Sequence, residues 1–374
     1  MRQTVARRRR ATAGVLSCLA LLAFVVGAAL GDGRGEARSE PSLASTLPPK
    51  LLAGERIVVG VNGTSVGEGL RDAIHEGRVA GVVLFAGNFP TRAAGKRLIA
   101  RLQGIPRPPK LRDHPLLVMV DQEGGQVKRL SGAPTASAAT MGARGPAFSR
   151  EQGKRTAANL RDVGVTVDLA PVLDVARPGS VIAETERGFG STPARVANTA
   201  VAFGGALQYY GVAATGKHFP GFGAARENTD FSVERINLSK EELRQIDEAP
   251  YDRFIRMGGE LVMLSTAVYP AFSNRPAAFT RSIATGELRH RLGFEGVTIT
   301  DALETPAVEN FGSTEKTAVA GARAGADLLL YAQLGPARAA WEALVENLRT
   351  GALDRDEFER AAQRVLRLQS ELPL

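Results

Sequence analysis

The side chains with chemistry to offer stand where short apolar runs end. Asp121 and Glu123 follow LLVMV, in DQEGGQVKRL. Asp174 closes DLAPVLD, with Arg187 further along the same loop. Lys217 and His218 end VAATGKHF, Thr266 and Tyr269 end LVMLSTAVY, and Asp301 closes GVTITD. Asn88 follows VAGVVLFA. Carboxylates accept hydrogen bonds from hydroxyl groups, and Lys and Arg donate them. Such a mixture facing one mouth suits a polyhydroxylated ligand. It also suits glycoside chemistry, in which one carboxylate attacks the anomeric carbon and a second group protonates the leaving oxygen. Singly, each residue has a plainer use. An Asp after a strand is commonly a helix cap or a turn residue. Asp168, inside an apolar run, fits structural hydrogen bonds, and Asp174 fits a brace at the mouth. Glu123, beside two glycines, fits a loop acid, and His218 fits a satisfied core histidine. Their meeting at one face is what favours the functional reading.

The elements that must bring them together are legible as a repeated theme. Apolar runs occur at 57–61, 79–86, 116–121, 165–172, 212–219, 261–269, 296–301 and 326–332. Runs this continuous suit strands buried on both faces, as in a parallel sheet. Helical patterns alternate with them. SKEELRQIDEAPYDRFI opens on Ser239 with Glu242 three residues on, a capping-box arrangement. Thr280 to Leu292, Pro336 to Leu348 and Arg355 to about Gln369 also carry helical spacing. Eight strands alternating with helices predict an α/β fold of the (β/α)8 TIM-barrel type, with active residues on the loops that leave the strands. The rival, a doubly wound open sheet, calls for GxGxxG after the first strand; GVNGTSVGEG does not match it.

Composition narrows the rest. The chain has 374 residues, 44% of them hydrophobic, enough for a sizeable core. Its net charge of +8 is concentrated at one end, because residues 1–50 carry eight Lys/Arg against three acids. No basic stripe with interleaved aromatics follows, so a nucleic-acid partner is not expected. Arg7 to Arg10 precede an apolar run from about Ala11 to Leu30, close to the ~20 residues that cross a bilayer. Residues 1–30 are therefore expected to be a secretory signal or an N-terminal membrane anchor. Either places the protein outside the cytoplasmic membrane, with membrane contact only through this segment. Residues 31–50 read as a polar linker and 51–374 as the folded domain. Cys18 is the only cysteine, so neither a disulfide nor a thiol nucleophile is expected in the domain. The four histidines are scattered and no HExxH occurs, so no metal is expected.

VDQEGGQVKRL, DLAPVLDV, RGFGS, KHFPGFG and GFEGVTITDAL, in this order, resemble glycoside hydrolase family 3, in its single-domain β-N-acetylglucosaminidase (β-hexosaminidase) branch. The resemblance runs from about Leu51 to the C-terminus. It implies a barrel that hydrolyses terminal β-linked N-acetylglucosamine of cell-wall fragments with retention, without metal or organic cofactor. It implies Asp301 as nucleophile, and Asp121, Arg129, Arg187, Lys217 and His218 as sugar-binding residues. The branch usually continues KHFPG as HG and ends the loop in Asp-Ser-His, whose histidine serves as general acid/base. Here Phe222 replaces the first histidine, and Asn228-Thr229-Asp230 replace the triplet. Asp230 is the expected substitute in proton transfer, with Glu227 behind it; sugar binding without efficient turnover is the alternative. Gln126 in place of an arginine, and RGFG in place of RSFG, make the N-acetyl preference less secure than the glycosidase class.

Overall fold

The computed structural model describes residues 42–373. All eight expected strands form: β1 (Ile57–Gly60), β2 (Gly81–Leu84), β3 (Leu117–Val120), β4 (Val167–Asp168), β5 (Ala213–Phe219), β6 (Leu261–Leu264), β7 (Val297–Thr300) and β8 (Leu329–Tyr331). Each pairs in parallel with its sequence neighbour from β1 to β7, and β1 pairs with β8. Between β7 and β8, Leu328 N–H donates to Thr298 O at 2.8 Å and Thr300 N–H to Leu328 O at 3.0 Å, which closes the barrel.

The strands are rich in apolar residues because both faces are covered. Val58, Met119, Val167, Met263 and Ile299 belong to the barrel interior. Ile57, Val59, Val118, Val120 and Val262 belong to the layer beneath the helices. That layer is covered by α1 (Glu68–His75), α2 (Arg92–Gln103), α3 (Pro146–Arg161), α4 (Pro193–Tyr209), α5 (Ala249–Arg256), α6 (Ser282–Arg291, wound as a π-helix), α7 (Thr314–Ala324) and α8 (Leu334–Arg349). The closing helix α9 (Arg355–Glu371) sends Val365 and Leu368 into the interior cluster. It also sets Arg364 on the buried Asp327, with 2.7 Å between Nη2 and Oδ1.

The caps follow the sequence. Thr91, Thr192 and Asp354 accept N–H bonds at the starts of α2, α4 and α9. Ser239 and Glu242 form the expected capping box. The pattern that begins there is not one helix, however. A single turn leads into a π-helical stretch, Leu243–Asp247, and α5 restarts with Pro250 in its first turn, where its missing N–H costs nothing.

The compact domain takes in residues before Leu51. Leu43–Thr46 and Pro49–Gly54 are short helices, with Ala44 and Leu47 fully buried. Ala44 N–H donates to Gln363 Oε1 at 3.1 Å, and Trp341 Nε1–H to Lys50 O at 2.9 Å. Residues 43–50 therefore belong to the folded domain rather than to the linker. The expected signal or anchor, residues 1–30, lies outside the described residues. Among the described residues no helix is long and apolar enough to cross a membrane.

Candidate active site

The loops leaving the strands enclose a pocket of about 390 Å³. Asp121, Arg129, Arg187, Lys217, His218, Asp230 and Asp301 all line it. Asn88, Thr266 and Tyr269, also expected at this mouth, do not. Asn88 is buried and spends its side chain on Phe85 N, Val61 O and Gly63 O. Thr266 is buried, and Tyr269 Oη donates to Gly221 O at 2.9 Å, supporting the β5 loop from beneath.

Asp121 leaves β3 and enters a short antiparallel ribbon, Gln122–Gly124 with Val127–Lys128. The two-glycine turn makes the ribbon possible. Gly124 and Gly125 adopt φ of 100° and 58°, and a Cβ on Gly124 would lie 2.3 Å from Ala136 O. Buried Gln122 ties the ribbon to the following loop: Oε1 accepts from Arg129 N and Leu130 N, and Nε2 donates to Leu130 O and Ala133 O. Glu123 and Arg129 are thereby carried to the pocket wall.

The result is a chain of alternating charges. Arg129 lies 3.5 Å from Asp121, and Asp121 lies 2.7 Å from Lys217 Nζ. Lys217 Nζ reaches Glu123 at 2.7 Å, and Glu123 takes two bonds from Arg187 at 2.8 Å each. Burial opposes the charges of Asp121, Glu123, Arg187 and Lys217, but the partners outweigh it. Burial alone would raise Glu123, yet Arg187 and Lys217 hold it well below the usual carboxylate range. Asp121 is likewise held low against burial by Lys217 and Arg129. Burial would lower Lys217, but Asp121 and Glu123 raise it. Arg187 is raised against burial by Glu123. Glu123 is therefore no ordinary loop acid: it is 3% exposed and joins the two cations. Beneath the chain lies Asp168, fully buried. Its Oδ1 accepts from Gln122 N at 2.9 Å, as a structural role requires, while Oδ2 has no partner among the described residues. Burial pushes this carboxyl up to about 8, with Gln122 N–H and Lys217 acting the other way.

Asp174 does not reach the pocket but braces it. Its Oδ1 accepts from His218 N at 3.1 Å and Phe222 N at 2.7 Å, and its Oδ2 lies 2.8 Å from His218 Nδ1. That contact fixes the imidazole and commits Nδ1, so Nε2 is the nitrogen left for a ligand. Phe222 is buried, its ring 5.7 Å from that of His218 in an edge arrangement.

Asp301 stands at the end of β7. Its backbone N–H donates to Leu264 O, and its Oδ1 accepts from Ala302 N at 2.8 Å. No ion pair to its carboxylate occurs among the described residues. Burial raises its pKa, partly offset by His218 and reinforced by Asp230. Asp230 is exposed at the rim. Asn228 Nδ2 donates to Asp230 Oδ2 at 2.9 Å, and Asp230 N donates back to Asn228 Oδ1 at 3.1 Å. Glu227 is exposed and outside the lining.

Asn228, Glu304 and Gln333 also line the pocket and were not anticipated. Glu304 accepts from Ala332 N and Gln333 N, joining the β7 loop to the start of α8. The signal for it was an acid three residues after Asp301. GTSVG at 63–67 spells the serine-hydrolase pattern. Ser65 is exposed, lies outside the pocket and bonds no histidine, so no serine triad forms there.

Comparison with known proteins agrees with this geometry. The glycosyl hydrolase family 3 N-terminal domain matches residues 55–368. An uncharacterized secreted glycosyl hydrolase of Arthroderma benhamiae is 36% identical over 343 residues, 89% of this chain and 96% of that protein. A family 3 β-N-acetylglucosaminidase from Paenibacillus sp. superposes with a TM-score of 0.82 at 32% identity, over 86% of this chain. The present chain spans 62% of that enzyme's length. The β-N-acetylhexosaminidase of Beutenbergia cavernae superposes with a TM-score of 0.80 at 30% identity, over 86% of this chain and 98% of its own. The chain belongs to glycosyl hydrolase family 3, in its β-N-acetylglucosaminidase branch, and is a hydrolase.

Proposed function

We propose that the protein is a retaining β-glycosidase that removes terminal β-linked N-acetylglucosamine from cell-wall-type glycans. The observation that carries this reading is one pocket holding two kinds of carboxylate. Asp121 and Glu123 are tied to cations, while Asp301 makes no ion pair among the described residues. The tied groups suit hydroxyl recognition, since the alternating chain offers acceptors and donors in fixed places. Arg129, Arg187, Lys217 and His218 would donate to the sugar, and Asp121 would accept from it. Asp301 suits nucleophilic attack.

The reaction would run in two displacements. Asp301 attacks the anomeric carbon as the bond to the leaving oxygen breaks, and Asp230 gives that oxygen its proton. Asp230 then takes a proton from water, which attacks the same carbon and frees the Asp301 carboxylate. Two observations support Asp230 over Glu227: Asp230 lines the pocket, and its charge is felt at Asp301. The location we propose is extracytoplasmic, secreted or anchored by the N-terminal segment. Support comes from the arginine-led apolar run and from the similarity to a protein described as secreted.

The test is turnover by the purified protein of aryl β-N-acetylglucosaminide and aryl β-glucoside. Hydrolysis of the first in preference to the second, lost in Asp301→Ala, is the expected result. Sugar binding without turnover of either would favour the alternative, a cell-wall fragment receptor. The replacement of both loop histidines, by Phe222 and Asp230, is the feature that keeps that alternative open.

A further inference from the structure

The loop that brings Asn228 and Asp230 to the pocket also carries a largely exposed phenyl ring. Phe231 is 76% exposed, one of three large hydrophobic side chains so exposed among the described residues. The other two, Tyr209 and Met257, lie at the ends of α4 and α5, which cover the outside of the barrel. Phe231 alone adjoins a pocket-lining residue.

Its position is held by local structure. Phe231 N–H donates to Asn228 O at 2.9 Å and Ser232 N–H to the same oxygen at 3.2 Å, closing a tight turn. The Asn228 side chain bridges to Asp230, and buried Thr229 roots the turn in the protein. Arg226 N–H donates to Glu234 Oε2 at 3.2 Å, which draws the two ends of the loop together. The side chains of Asn228 and Asp230 thus line the cavity, and the next residue in the chain carries a largely exposed aromatic ring.

A single exposed apolar residue usually needs no explanation. Here the chemistry of the site supplies one. The charged chain on the pocket floor suits the hydroxyls of the sugar being released. The group that leaves must then lie toward the rim, beside whichever residue protonates its oxygen. A pyranose ring has an apolar face of C–H groups, and aromatic rings are large apolar surfaces that such a face can cover.

We infer that Phe231 is the platform of a leaving-group subsite, packing against the pyranose ring on the far side of the scissile bond. The inference rests on the glycosidase reading and deepens it. The substrate class is a β-linked disaccharide or longer glycan, rather than a sugar carried on a small non-cyclic group. Phe231 acts through binding and transfers no proton. Its contact energy is available whenever the leaving group is a ring and is absent when there is none.

The test compares two substrates in the full chain: N,N'-diacetylchitobiose, whose leaving group is a pyranose, and β-N-acetylglucosaminyl fluoride, whose leaving group has no ring. Wild type, Phe231→Ala and Phe231→Trp are measured for kcat/KM on both. Phe231→Ala should lower kcat/KM on the disaccharide about tenfold and leave the fluoride within twofold. Phe231→Trp should restore the disaccharide rate to within about threefold of wild type. Equal losses on both compounds would mean that the ring serves the loop and not the ligand. No loss on the disaccharide would equally overturn the inference. Wild type turning over neither compound would remove the glycosidase reading itself, and the subsite with it, which a selective failure of the variants does not do.

Discussion

Substituting Glu123 by Gln removes the one charge that joins Arg187 to Lys217. The carboxylate is 3% exposed and takes two 2.8 Å bonds from Arg187 and a 2.7 Å contact from Lys217. Deleting one partner of a buried pair costs about 3–5 kcal/mol, because a buried charge is left uncompensated. Two features favour the lower end. Lys217 keeps Asp121 at 2.7 Å, and the Arg187 side chain retains 14% exposure. We therefore expect Glu123→Gln to lose about 3 kcal/mol at pH 7, read by urea unfolding. The pH dependence is a second check. Glu123 is held below its ordinary range in the folded protein, so its contribution is present above the unfolded value of about 4.3 and is lost as pH falls toward the depressed one. The gap between wild type and variant should narrow below about pH 4.3. A gap under about 0.5 kcal/mol at pH 7, or one that does not shrink in acid, would refute the account of the charged chain.

Other expectations follow from neighbouring groups. Asp301→Ala should abolish turnover while sugar binding, measured by calorimetry, persists; loss of both would point to a collapsed site. Asp230→Ala should slow substrates with poor leaving groups by about 100-fold or more while sparing activated aryl glycosides, and equal slowing of both would remove Asp230 as the proton donor. Asp168, pushed up to about 8 by burial, contributes stability that is complete below its unfolded pKa of about 3.9 and is lost as pH rises to about 8. Asp168→Asn should accordingly flatten the decline of stability across that window, and an unchanged profile would contradict the raised value. Tyr269→Phe should cost about 1 kcal/mol by removing the bond to Gly221 O, seen as a lower urea midpoint.

The barrel was legible because its strands are buried on both faces. Alternate residues such as Val58 and Val59 face the interior and the helices, so most strands read as mainly apolar runs. The start of the domain was less legible. Pro, Ser and Thr around Ala44 and Leu47 imitate a linker, and only packing against α9 and α8 orders them. At the pocket, strand ends located most of the charged residues, but spacing carries no pairing information. Glu123 meets Arg187 across 64 positions, and Asp174 meets His218 across 44. Asn88 shows the converse. It stands at a strand end, yet it turns inward to satisfy backbone groups of its own and the neighbouring loop.

In the proposed reaction Asp301 becomes covalently bonded to the sugar. This step is tested most directly by incubating the protein with a ring-fluorinated N-acetylglucosaminyl fluoride, which reacts but whose glycosyl-enzyme breaks down slowly, and sequencing the labelled peptide by mass spectrometry. The expected product carries one added sugar, on Asp301 within GVTITDALE. A label on another carboxylate, or turnover of ordinary substrate by a protein that never becomes labelled, would contradict this step.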